Sequence, residues 1–191
     1  METAVMKAEQ ARFQIEANSG ISLPVAGALY WIALGIAGYF VEPFIWAWVA
    51  AFTSGLIFPI GLALQKPLNS PFMKVKSPLA NVALRATIGI NLLWPIHIAI
   101  MLNAIEIFPL SLGIGMGLHW LVVGWTYDSK ACTVHVVLRT LAVTALWFLF
   151  PALSYTVLPF VIAAIYVLTV VMLRGEVKSK QAAAELVATP Q

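Results

Sequence analysis

The chain is poor in charge. Only 10% of its 191 residues are Asp, Glu, Lys or Arg, against about a quarter in a soluble domain, while 61% are hydrophobic and the mean hydropathy is +0.91. A soluble core of that composition would lack the polar residues to cover its own surface, so the chain belongs in a bilayer. One cysteine, Cys132, leaves no intrachain disulfide. The Walker loop, the Rossmann glycine motif, G-x-S-x-G, H-E-x-x-H and lipid-attachment signals are all missing. No aspartate pair lies in an apolar run, which speaks against an intramembrane aspartyl protease. No H-x-x-x-H or C-x-x-C supplies the further ligands a metal site wants. No catalytic residue, metal or cofactor is assigned.

What the chain has is apolar length. A span needs roughly 20 mostly apolar residues, and six windows meet that need: about 23–41, 44–64, 82–104, 109–127, 133–151 and 154–173. The first is no cleavable signal: polar or mixed residues precede it, and "GYFVEPF" offers no small-residue cleavage pattern. The expected fold is an all-α, polytopic transmembrane bundle of six helices in three hairpins, because short connections force neighbours to run antiparallel. Residues 1–22 read as an amphipathic segment on the cytoplasmic membrane face, 23–174 as the transmembrane domain and 175–191 as a short cytoplasmic tail. The matching stretches "VALRATIGINLLW" and "VVLRTLAVTALW" raise the idea that the hairpins repeat.

Charge orients the bundle. Lys7, Arg12, Lys66, Lys74, Lys76, Arg85, Lys130, Arg139, Arg174, Lys178 and Lys180 are assigned to one side, and only Glu42 and Glu106 to the other. The positive-inside rule then puts both termini in the cytoplasm. The formal charge of +3 reflects this bias and an affinity for anionic headgroups, with no nucleic acid implied.

Polar residues inside "LLWPIHIAIMLNAIEIFP" (92–109) ask for an explanation. His97 lies roughly 13 Å from Glu106 along the helix, and His119 roughly 15 Å inside Pro109, so the two imidazoles reach similar depth near the midplane. Pro95 frees the Asn91 carbonyl and predicts a kink at Trp94-Pro95. One reading is a polar cavity lined by Asn91, His97 and His119 with Glu106 at its external mouth. The other is that the histidines bond neighbouring helices, since Asn91, His97 and Asn103 do not form one stripe. At the cytoplasmic end, Arg85, Arg139 and Lys130 are candidates for holding an anionic headgroup or phosphate. Gly113, Gly117 and Gly124 form a small-residue face for close helix packing, within the chain or against a second copy or another membrane protein.

At "FTSGLIFPIGLAL" and "GLHWLVVGWTYDSK" the chain resembles a family of small bacterial membrane proteins known only as a domain of unknown function. The likeness runs over most of the chain, including the start before "GISLPVAGALYW". It implies six helices in a bacterial inner membrane and brings no functional residue with it. Three functions stay open: a small transporter or channel with a midplane polar cavity, a non-catalytic partner-binding protein, and an intramembrane lipid-modifying enzyme.

Overall fold

The computed structural model describes residues 2–188. All regular structure in these residues is helical: α1 (Glu2–Glu16), α2 (Ser22–Ala37), α3 (Pro43–Thr53), α4 (Ile57–Ala63), α5 (Pro78–Asn91), α6 (Trp94–Asn103), α7 (Phe108–Gly115), α8 (His119–Tyr127), α9 (Lys130–Leu149) and α10 (Val157–Ala188), with four short 3-10 turns. Among the described residues six segments are long and apolar enough to cross a membrane: Asn18–Ala37, Pro43–Ala63, Pro78–Asn103, Ile105–Tyr127, Lys130–Leu149 and Val157–Leu186. The chain is thus a multi-pass helical membrane protein.

Three of the six spans are interrupted. In the second, a 3-10 turn at Ser54–Leu56 lies just ahead of Pro59. In the third, the break falls at Leu92-Leu93, where Pro95 cannot donate to the Asn91 carbonyl. In the fourth, no proline is involved: "GIGMG" (113–117) lacks the side chains that stiffen a helix, and residues 116–118 form a turn.

Glycine decides which helices touch. A Cβ on Gly27 would meet Tyr166, one on Gly35 would meet Phe160, and one on Gly38 would strike the Tyr155 backbone. As the number rises on α2 it falls on α10, so the first and last spans are antiparallel and pressed together. The same register joins the fourth and fifth spans, through Gly113 to Val143, Gly117 to Arg139 and Gly124 to Cys132. The glycine face of "GIGMG" is therefore occupied inside this chain. The second span packs on α2, and the third packs on α8 and α7. The third span is the most peripheral, with the smallest buried share of the six.

Two ends differ in chemistry. At one, α1 is lashed to the bundle: Gln10 donates to the Trp125 carbonyl at 2.6 Å, Gln14 to Glu176 at 3.0 Å and Arg12 to the Lys76 carbonyl at 3.1 Å. Its inward face is thus polar, and Phe13 closes on Tyr127 with ring centroids 5.0 Å apart. Lys7 pairs with Asp128 at the same end, and Lys180 donates to the carbonyls of Tyr127 and Asp128. The Glu9 carboxyl is held down to about 2 by hydrogen bonds from Arg12 and Ser77. At the other end Trp147 donates to the Glu106 carbonyl and Tyr155 to that of Ile105. Burial pushes the Tyr155 phenol up to about 12, so it remains a donor.

Candidate functional site

The chemistry concentrates where the sequence put a headgroup contact. Arg139 stands midway along α9 and is 1% exposed, so it lies inside the bundle and not at the helix end where the sequence placed it. Three features seat it. Gly117 has no Cβ to collide with its Cδ, which such an atom would approach to 2.9 Å. The turn at 116–118 sends the Gly117 N–H to the Ile114 carbonyl. In an unbroken helix that N–H would take the Gly113 carbonyl, so the latter is left for Arg139 Nε, which donates to it at 2.5 Å. Finally Arg139 Nη1 donates to the Tyr166 hydroxyl at 3.0 Å.

Aromatic rings enclose the guanidinium. Its carbon lies 5.2 Å from the Trp31 ring centroid and 5.4 Å from that of Tyr166, where ring quadrupoles attract a cation. One turn back on α9, His135 is fully buried with its ring centroid 4.6 Å from Tyr166 and 5.1 Å from Trp120. His119 extends the cluster, its ring 5.6 Å from Trp120. The Thr169 hydroxyl donates to the Ile165 carbonyl at 2.7 Å, so it must accept from His135 Nδ1 at 2.8 Å. His135 therefore carries a proton on Nδ1, and a neutral ring in that tautomer has its lone pair on Nε2.

No carboxylate among the described residues pairs with Arg139. Glu9 and Glu16 hold Arg12, Asp128 holds Lys7, and Glu176 takes Gln14 and the Ala131 N–H. Arg139 Nη2, Trp31 Nε1 and Trp120 Nε1 are buried and have no hydrogen-bond partner in the protein.

The other sequence candidates lie elsewhere. Asn91 is exposed on the peripheral third span and donates to its own helix at the Thr87 carbonyl, and Asn103 does the same at Ala99. Glu106 is exposed at the end of the bundle. His97 is buried, 2.6 Å from the Ser111 hydroxyl, and fits against Gly115. Because Gly115 faces away from Gly113 and Gly117 on the helix, His97 and Arg139 occupy opposite sides of the fourth span. The set Asn91, His97, His119 and Glu106 is therefore not one cavity: a lipid-facing asparagine satisfied by its own backbone needs no partner. Arg85 and Lys130 are exposed, and neither shares the buried setting of Arg139. Arg85 and Arg139 thus occupy unlike environments despite their matching sequence stretches. The sequence did hold a signal for the true cluster: His135 and Arg139 are four apart, on one face of a helix.

The bundle defines a class, a multi-pass helical membrane protein with a polar cluster closed inside it. The chain matches a family of unknown function (DUF7010) over residues 6–176, and it belongs to that family. No curated protein and no solved structure matches the chain.

Proposed function

We propose that this protein is a small transporter or channel, with its solute passing through the Arg139 cluster, and that it sits in a bacterial inner membrane as three helical hairpins. The observation that carries the reading is a buried arginine halfway along a span with no carboxylate to neutralise it. An ionisable group at such depth costs from about 3 kcal/mol on insertion scales to more than 10 in simulations. Two hydrogen bonds and two ring contacts offset part of that cost. A fold that only needed packing would be served by leucine, so the charge is retained for something it binds. The broken fourth span beside the cluster fits the same reading, because carriers place discontinuous helices at midplane sites. The rival readings lose support: the glycine face offered to a partner is occupied within the chain, and the three basic residues offered to a headgroup do not meet.

Both termini are assigned to the cytoplasm, since Lys7, Arg12, Arg174, Lys178 and Lys180 gather at the end that carries α1. The test is solute-induced swelling of liposomes containing the protein, with a panel of small anions, cations and neutral solutes. Swelling above that of empty liposomes for at least one class is expected. Indifference to every class would remove the transport reading.

A further inference from the structure

Resting on that reading, we infer that the solute held at Arg139 is a small monovalent anion. The argument is one of donors and acceptors. Arg139 Nη2, Trp31 Nε1 and Trp120 Nε1 can only donate, and all three are buried without a partner. Of the acceptors that the chain supplies, the Gly113 carbonyl and the Tyr166 hydroxyl are already taken by Nε and Nη1, and the unpartnered ring nitrogens, His135 Nε2 and His119 Nδ1, are too few to serve all three donors. A buried polar atom without a partner is costly, more so when charged, so this surplus of donors calls for an acceptor from outside the chain. A neutral acceptor would satisfy the N–H groups and leave the guanidinium charge standing. An anion answers both needs.

Its charge and size follow. One guanidinium is balanced by one negative charge. Arg139, Tyr166, Trp31 and Trp120 are all buried, with Arg139 against Trp31 and Tyr166, and Tyr166 against Trp120, so a group of more than a few atoms would force the helices apart. Formate, nitrate and chloride are of the right class. A cation is opposed by Arg139 directly.

The test uses the full chain in nanodiscs of phosphatidylcholine, a zwitterionic lipid. Tryptophan emission and thermal midpoint are followed during titration with sodium formate, nitrate and chloride at constant ionic strength. Trp31 and Trp120 adjoin the site and report on it. A saturable response to at least one anion is expected. It should weaken roughly 30-fold or more in Arg139→Gln, as when one partner of a buried charge pair is removed, and be unchanged in Lys178→Gln, whose side chain is exposed. The Trp120→Phe variant keeps the arginine and should lose only part of the affinity. The inference is overturned if the wild-type protein shows no saturable response, if Arg139→Gln responds as the wild type does, or if a response requires anionic phosphatidylglycerol in the disc. Swelling in a cationic or neutral solute without anion binding would overturn this inference and leave transport standing. Anion binding without swelling would do the reverse.

Discussion

Arg139 donates its Nε–H to the Gly113 carbonyl, and that carbonyl is free because the Gly117 N–H turns to Ile114 instead. A break in one span and a cation in the next are therefore two halves of one feature. Gly117 serves both, by loosening the helix and by leaving room for the arginine stem.

Gly117→Ala should lower stability by about 1–3 kcal/mol, because its Cβ would press on the Arg139 side chain in a closed core. In an Arg139→Ala background the penalty should shrink, since the obstructed atoms are gone. A double-mutant cycle on detergent-solubilised protein measures the coupling. Equal penalties in both backgrounds would mean that Gly117 does not seat the arginine.

The polar residues of the third span should separate into two kinds. Asn91→Leu and Asn103→Leu are expected to change stability by less than about 0.5 kcal/mol, as each side chain bonds only its own helix. His97→Ala should cost about 1–3 kcal/mol by leaving Ser111 without its partner. Thermal or denaturant unfolding of the three variants decides it, and a large loss at either asparagine would refute the lipid-facing assignment.

The lashing of α1 should depend on pH in the acid range. Glu9 is held at about 2, below its ordinary 4.5, by Arg12 and Ser77. A depressed carboxyl contributes stability that is complete above the unfolded value and is lost as pH falls through the folded one. The gap in thermal midpoint between wild type and Glu9→Gln should thus be constant above about pH 5 and close towards pH 2. A gap that widens on acidification would contradict the assignment.

Orientation can be read with single cysteines. Cys132 is buried against Gly124 and should be silent to thiol reagents. The exposed positions report instead: Lys178→Cys should label with an impermeant maleimide only after permeabilisation, and Tyr39→Cys should label in intact cells. The opposite pattern inverts the topology.

Much of the fold was legible in the sequence. Hydrophobic length marked all six spans, and Pro95 marked the break in the third. The break in the fourth was not foreseen, because glycine loosens a helix only where a neighbour gives it another hydrogen-bond partner, here Arg139. Arg139 itself was misplaced for a related reason: a charge rule assigns cations to the nearest end, whereas its depth is set by Gly113, Gly117 and Tyr166 on two other helices. Glycine spacing revealed a packing face but not what lay on it. Trp31 and Tyr166 look like any aromatic in an apolar run, and only the packing of α2 on α10 brings them to the cation.

The most direct measurement takes Arg139→Met through both stability and swelling assays. Replacing an uncompensated buried charge by an apolar side chain of similar reach removes its desolvation cost, which outweighs the cost of the two acceptors left unpaired, so the account predicts a thermal midpoint at or above wild type together with loss of solute-induced swelling. A destabilised variant that still passes solute at the wild-type rate would make Arg139 a structural residue and contradict the account.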